Sequence, residues 1–343
     1  MTATRPAGAA GPRAAPAIPR LGCLGIGWIG RHRMEAIHRS GAAEIAMIAD
    51  ASDDACAAAE ECVPGAVRAD GLDELLAAGL DGIVIATPSA LHAEQAIAAL
   101  ERGVAVFCQK PLGRSAAEVE RVVRAARAAD RLLGVDLSYR HTAAMRAIRD
   151  LVAAGELGDV YAADLTFHNA YGPDKPWFYD VSLSGGGCVM DLGVHLVDLA
   201  LWTLGFPAVE RVESRLYAKG RALPADPREV EDYAIARIDL ANDASVRIAC
   251  SWNLSAGRDA VIEAALYGTA GAAAMRNVNG SFYDFTAERY RGTSTEQLAA
   301  PPDEWGGRAA VEWAERLAAG AGFDPEADRL VDVAAALDAV YRR

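Results

Sequence analysis

At 343 residues the chain is too long for one hydrophobic core and suits two domains, which leaves a cleft between them. Its 52% hydrophobic and 24% charged content is that of an ordinary globular chain and excludes wholesale disorder or a fibrous architecture. A formal net charge of -13 repels phosphodiester backbones, which disfavours nucleic acid as a partner, and no run of about 18 apolar, uncharged residues offers a membrane span.

The opening MTATRPAGAAGPRAAPAIPR has neither the apolar stretch of a secretory leader nor a twin-arginine pair, so residues 1–19 read as a disordered tail. From Leu21, short apolar runs alternate with longer helical segments. LGCLGIG reads as a strand, IGRHRMEAIHRS as a helix, EIAMIAD as a strand, then DDACAAAEEC and GLDELLAAG as helices. The alternation continues with the strand GIVIATP, the helix LHAEQAIAALERG, the strand VAVFCQKP, the helix SAAEVERVVRAARAADR and the strand LLGVDLSY. Ile- and Val-rich runs separated by helices predict buried parallel strands in a doubly wound sheet over residues 20–139. After the helix TAAMRAIRDLVAAG the pattern changes to alternating segments such as VYAADLTFHNA, VERVESRLYA, VEDYAIARIDL, ASVRIACSWN and VIEAALYG. These predict an α+β domain over 140–343 with a large, mostly antiparallel, open-faced sheet. Two closing helices, near 305–319 and 326–342, are free to pack back on the first domain. Six scattered cysteines with no CxxC pair read as reduced thiols of a cytoplasmic protein, and no metal site is expected.

GIGWIG is a G-x-G-x-x-G turn between a strand and a helix. Gly25 permits the tight turn, Gly27 lets a pyrophosphate approach the backbone, and Gly30 lets helix and strand pack closely. Trp28 and Ile29, inside the turn, face the same ligand. Asp50 ends the second strand 20 residues past Gly30, the distance at which an acid meets the adenosine ribose hydroxyls. Together they predict a dinucleotide site. A 2′-phosphate would meet Asp50, with Asp53 and Asp54 nearby, so NAD is favoured over NADP.

Ligands of open parallel sheets bind beyond the carboxyl ends of the strands. There ATPSALH supplies Thr87 and Pro88 to line the trough and His92, a cofactor contact or a packing histidine; CQKPLG supplies Gln109 and Lys110. Held before a proline, Lys110 is aimed from the sheet edge toward the cofactor.

The GIGWIG turn, ATPSALH, the QKP step, GVDLSYRH and GGGCVMDLGVHLVDLALW occur in the order found in the glucose-fructose oxidoreductase, inositol dehydrogenase and rhizopine catabolism (Gfo/Idh/MocA) family, which the chain resembles from about residue 20 onward. The resemblance implies a Rossmann domain and a nicotinamide-dependent oxidoreductase acting on a sugar, cyclitol or related polyol, with Lys110, Asp191 and His195 around the reacting carbinol. The family usually shows Glu-Lys-Pro; here the first position is Gln109.

If the helix of DLGVH begins near Val189, Asp191 and His195 lie at i,i+4 on one face, Asp198 continues that face, and Gly193 marks a close approach to the backbone. In the expected reaction His195 takes the hydroxyl proton and Lys110 stabilises the alkoxide, although the two could exchange the role of base, and Asp191 orients the substrate. Tyr139, Arg140, His168, Asn169 and Trp177 are candidate substrate contacts. Two other readings stay open: redox-neutral elimination or hydrolysis of a glycoside through NAD, and a non-catalytic NAD-sensing regulator. The open sheet face, with apolar residues alternating in VRIACSW and VIEAALYG, predicts a homodimer or homotetramer.

Overall fold

The computed structural model describes residues 18–342; the tail expected over 1–19 lies, up to residue 17, outside the described residues. The first half runs β1 (Arg20–Leu24), α1 (Trp28–Ser40), β2 (Glu44–Ala49), α2 (Asp53–Cys62), β3 (Val67–Arg68), α3 (Leu72–Ala77), β4 (Gly82–Ile85), α4 (Ser89–Glu101), β5 (Ala105–Cys108), α5 (Ala116–Ala129) and β6 (Leu133–Val135). The strands form one parallel sheet in the order β3-β2-β1-β4-β5-β6. They are short because both faces are covered. β4 and β5 are buried along their whole length, as a doubly wound sheet requires. Local chemistry sets the helix starts: Ser52 Oγ accepts the Ala55 N–H at the head of α2, and Ser115 Oγ accepts the Glu118 N–H at the head of α5.

The second half runs α6 (Ala143–Ala153), β7 (Val160–Asn169), α7 (Val181–Ser184), a π turn at Val189–Gly193, α8 (Val194–Thr203), β8 (Val209–Ala218), β9 (Arg221–Ala222), β10 (Tyr233–Leu240), β11 (Ser245–Ser251), β12 (Ala260–Gly268), β13 (Gly271–Asn277), β14 (Phe285–Arg291), β15 (Ser294–Ala299), α9 (Arg308–Ala318) and α10 (Arg329–Tyr341). Nine strands form a sheet in the order β15-β14-β13-β12-β7-β11-β10-β8-β9. Only the β7–β11 pair is parallel. The strands β13 to β15 were not expected. GAAAMRN has no large apolar residue before Met275, and STEQLA is polar, so neither shows the alternation that marks a half-buried strand.

One face of the large sheet packs on α6, α8 and α10, burying Leu165, Phe167, Ile248, Ile262 and Leu266. The apolar alternators Val246, Ile248 and Cys250 turn inward to this core, so they do not form the apolar outer face that the sequence suggested. The outer face instead carries ion pairs, Arg247 with Asp164 at 2.9 Å and Arg276 with Glu263 at 2.8 Å, among Ile235, Ala249, Ala265 and Tyr267. Strand alternation is the reason: each inward apolar residue sends its neighbours out.

The two closing helices tie the halves together. α9 returns to the first sheet and lies against α1, β5 and β6, where Trp313 meets Phe107 with ring centroids 5.7 Å apart. Gly82 and Gly134 make room for that indole: a Cβ on either would stand 2.8 or 2.7 Å from it. α10 wedges between α5 of the first half and α8 and β8 of the second. Among the described residues no helix is long and apolar enough to cross a membrane.

Burial lowers the pKa of His32, His92, His141, His168 and His195 below the ordinary histidine value. Each therefore binds a proton more readily in the unfolded chain. Stability fully present at neutral pH is lost as pH falls below about 6.5, before the carboxylate range is reached. Urea midpoints measured from pH 7.5 to 5.5 should decline steadily; a flat profile over that window would show that these rings titrate alike in both states.

Candidate active site

The glycine turn and the end of β2 form one end of a cleft of about 1990 Å³ that runs between the two sheets. That exceeds the roughly 300–1,000 Å³ of a single small-molecule pocket, so it suits a dinucleotide with a second ligand beside it. Gly25 has φ +82°, and a Cβ there would lie 2.6 Å from the Ala86 carbonyl group; a Cβ on Gly30 would lie 2.0 Å from the Gly25 oxygen. A Cβ on Gly27, by contrast, would meet nothing within 4 Å. The turn is thus packed on its protein side and open on the side a pyrophosphate would approach, and α1 starts there with no side-chain cap. Asp50 is fixed beside it, Oδ2 accepting the Ile26 N–H at 2.7 Å and Oδ1 the Ser52 N–H at 2.9 Å. The residues fit a dinucleotide. Trp28 and Ile29 line the same end, as does Arg39 from the last turn of α1, a cation that the sequence reading passed over.

Thr87, Pro88, His92, Gln109 and Lys110 line the middle of the cleft from the tips of β4 and β5. His92 is buried, with Nδ1 2.7 Å from the Pro111 oxygen and Nε2 2.6 Å from the Thr87 oxygen, so it joins the two strand tips from below. Lys110 crosses to the second half. Its Nζ donates to Asp191 Oδ1 and to the Asp191 backbone oxygen, both at 2.7 Å, while Trp252 Nε1 donates to the other carboxylate oxygen at 3.0 Å.

Asp191 is delivered by the π turn, not by the regular helix that the sequence suggested; the wider turn gives way to α8 at Val194. Two of the three glycines before it, Gly186 and Gly187, make room for Glu231 and its partner Tyr341. The buried Glu231 carboxylate accepts N–H groups of Gly187 and Val189 at 2.8–3.0 Å and the Tyr341 hydroxyl at 2.8 Å, while burial raises its pKa above the ordinary carboxylate value. A Cβ on Gly187 would fall 1.9 Å from the Glu231 backbone oxygen, and one on Gly186 would fall 2.0 Å from the Tyr341 hydroxyl oxygen. Gly193 shows no such demand, its Cβ position being 3.3 Å from Val189 and 3.4 Å from Cys250. The backbone approach expected at Gly193 is therefore found at Gly186 and Gly187.

His195 lines the cleft with Lys110 and Asp191; its ring is buried, and Nδ1 has no hydrogen-bond partner among the described residues. Burial, then the Lys110 and Arg33 charges, holds its pKa well below the ordinary histidine value. Tyr139 stands edge-on to it at 4.8 Å between ring centroids. Asn169, whose Oδ1 is buried and unpartnered, and Trp177, stacked on Phe178 at 3.8 Å, line the second-sheet side.

Three expected groups lie elsewhere. Neighbours on a strand face opposite ways, so with Asn169 turned to the cleft His168 faces outward, bonded to Ser251 Oγ at 2.7 Å and stacked on Tyr233. Arg140 turns to the buried Asp198, with Nε donating to Oδ2 at 2.8 Å and Nη2 to Oδ1, because a carboxylate buried in α8 needs a counter-charge. Neither Arg140 nor Asp198 lines the cleft. Sequence reasoning missed Trp252, Glu231, Arg33, Asp136 and the aromatic pair Tyr283 and Trp305, the last two lining the cleft from the far end of the second sheet. One signal was present: Asp136 ends LLGVD as Asp50 ends EIAMIAD.

Residues 20–137 match the family model described as "Oxidoreductase family, NAD-binding Rossmann fold", and residues 145–274 that described as "GFO/IDH/MocA C-terminal domain". The chain is 30% identical over 249 residues to inositol 2-dehydrogenase of Leifsonia xyli subsp. xyli (strain CTCB07), covering 71% of this chain and 70% of the relative. It is 28% identical over 204 residues to D-glucoside 3-dehydrogenase of Escherichia coli (strain K12), where the match spans 57% of this chain and 58% of the relative's length. In fold it superposes on GenD2 from gentamicin A biosynthesis, solved in complex with NAD, with a TM-score of 0.80 at 24% identity over 99% of this chain and 97% of the other.

The two glycines of the π-turn region separate structural demand from tolerance. Gly187→Ala should lower stability by about 3 kcal/mol, the scale of a backbone overpacking clash. Gly193→Ala should change it by less than about 1 kcal/mol, because helix propensity offsets the mild contact. Thermal melts of both variants check this, and equal losses would contradict the assignment.

Proposed function

We propose that this chain, which belongs to the Gfo/Idh/MocA oxidoreductase family by its match over both halves, transfers a hydride between a secondary alcohol of a sugar, sugar derivative or cyclitol and a nicotinamide dinucleotide. The single observation that carries this reading is that Lys110 from the tip of the first sheet and Asp191 and His195 from the π turn and α8 of the second half face one cleft that continues into the glycine turn. NAD, when bound, supplies the hydride acceptor. Gly25, Gly27, Trp28, Ile29 and Asp50 would hold its adenosine and pyrophosphate half, with Thr87, Pro88, His92, Gln109 and Lys110 along the other half. NAD is favoured over NADP because both Asp50 oxygens are oriented by backbone N–H groups beside the turn, where a 2′-phosphate would meet like charge.

The roles of the protein groups follow from their partners. Lys110 is held by Asp191 as an ion pair and so is suited to donate to a developing alkoxide. His195, buried and neutral at working pH, lines the same cleft as Lys110 and is the group suited to take the hydroxyl proton. Asp191, with one oxygen on Lys110 and the other on Trp252, orients the ammonium and accepts from a neighbouring hydroxyl. Asn169 and Trp177 line the cleft, and Trp177 offers a polyol a flat apolar face of the kind sugars stack on. Relatives named as glucoside, levoglucosan and inositol dehydrogenases support the substrate class. A homodimer or homotetramer would join through the outer face of the nine-stranded sheet, and a monomeric mass in sedimentation would remove it.

Incubation with NAD⁺ and a panel of sugars, sugar phosphates, inositols and amino sugars should give NADH absorbance with at least one class, and Lys110→Met should abolish it while still binding NAD⁺. His195→Asn should lower kcat by about 100-fold or more, and the wild-type acid limb should fall below the ordinary histidine range near pH 6.5, since a depressed pKa keeps the imidazole neutral to lower pH. A dehydrogenase reading would not survive a wild type that binds NAD⁺ yet reduces it with no candidate.

Cofactor placement has its own test. Gly27→Val should fold normally, because a Cβ at this position meets no protein atom within 4 Å, and should lose NAD⁺ binding. Asp50→Ala should narrow the NAD/NADP preference by about tenfold, the scale of one lost hydrogen bond to a charged group. Unchanged binding in Gly27→Val would place the dinucleotide elsewhere.

A further inference from the structure

Gln109 and Asp136 stand at the same level on neighbouring parallel strands, one residue past the Cys108–Val135 pair, with the Asp136 N–H donating to the Cys108 oxygen at 2.9 Å. The Gln109 amide nitrogen donates to Asp136 Oδ2. The same oxygen accepts Arg33 Nε from α1 at 2.7 Å in an ion pair whose side chains are 6% and 1% exposed. Asp136 Oδ1 is buried with no partner among the described residues. All three side chains line the cleft beside Lys110.

An ionised carboxylate only accepts hydrogen bonds, so the end of Gln109 that meets Asp136 must be its NH₂ group. The amide is thereby oriented, and its oxygen is left facing away from Asp136. We propose that Arg33, Asp136 and Gln109 form a transposed charge unit, in which Asp136 is a positioning residue that turns the Gln109 oxygen toward the nicotinamide half of the dinucleotide. The negative charge that a glutamate would carry directly before Lys110 sits one strand away on Asp136, and Gln109 still presents an oxygen acceptor to a hydroxyl or amide donor. Arg33 holds the displaced charge in place. A glutamate at 109 would set two buried carboxylates against each other with one arginine between them, and one oxygen of that pair already lacks a partner. The residue that is usual in the family at this position is therefore the wrong one for this chain.

The inference rests on the reading that NAD lies in this cleft, and the test keeps the two apart by measuring NAD⁺ dissociation constants on the full chain through quenching of tryptophan fluorescence, with thermal midpoints of the cofactor-free proteins alongside. Gln109→Glu and Asp136→Asn should each weaken binding by about tenfold or more. The double variant, which moves the carboxylate back to 109, should return to within about threefold of wild type, a coupling that independent contributions cannot give. Gln109→Met, which deletes the amide without adding charge, should bind more tightly than Gln109→Glu, and this comparison stands even if Asp136→Asn fails to fold. A Gln109→Glu protein that binds as well as wild type, or a double variant as weak as the product of the singles, overturns the proposal; a plain staple between α1 and β6 would move only the thermal midpoints. A wild type that does not bind NAD⁺ overturns the cofactor reading itself.

Discussion

The ammonium of Lys110 is gripped by two oxygens of one residue, Asp191, and that contact joins the tip of the parallel sheet to the π turn of the second half. Both side chains keep a fifth or less of their surface in solvent. Such a pair lies between an exposed one, worth about 0–1 kcal/mol, and a buried one, whose breakage costs about 3–5 kcal/mol. Its geometry is maintained from both sides. His92 joins the Thr87 and Pro111 tips beneath the lysine, while Trp252 and Glu231 fix the carboxylate and the turn that bears it.

Charge alternates along the cleft floor, from Arg33 to Asp136, then to Lys110 and Asp191. Next to that row sits an imidazole that burial and two cations keep neutral. A neutral ring nitrogen and a fixed positive charge thus lie on different side chains of the same cleft. Tyr139 stands edge-on to the imidazole and itself rests on Trp305 and Phe167, so His195 is flanked by a cluster of aromatic rings.

The first sheet was legible almost element by element because fully buried parallel strands leave continuous apolar runs, and the glycine turn with Asp50 has a fixed spacing. That Lys110, Asp191 and His195 share one cleft was legible because a strand end before a proline and a D-x-G-x-H step each have a structural reason to turn a side chain inward. The losses have physical causes too. His168 and Asn169 are adjacent in sequence but opposite in space, and a strand's alternation admits only one of them to the cleft. Arg140 sits in a region that faces the site, yet a buried acid 58 residues further along the chain claims it; such pairing is a tertiary fact. Glu231 and Tyr341 act from 44 and 154 residues beyond Gly187, a distance that no local pattern encodes. The strands β13 to β15, polar or alanine-rich, belong to the sheet because neighbours complete their ladders.

The return of α9 to the first sheet has a consequence for how the protein is made. Trp313 fills the groove above Gly82 and Gly134, so the face formed by Leu21, Val84 and Phe107 stays uncovered until residues beyond 308 have been synthesised. At about 5–20 residues per second, a ribosome takes on the order of ten seconds or more to travel from the end of β6 to that helix. During that interval the nascent nucleotide-binding half carries an uncovered apolar flank, which only the last part of the chain can bury.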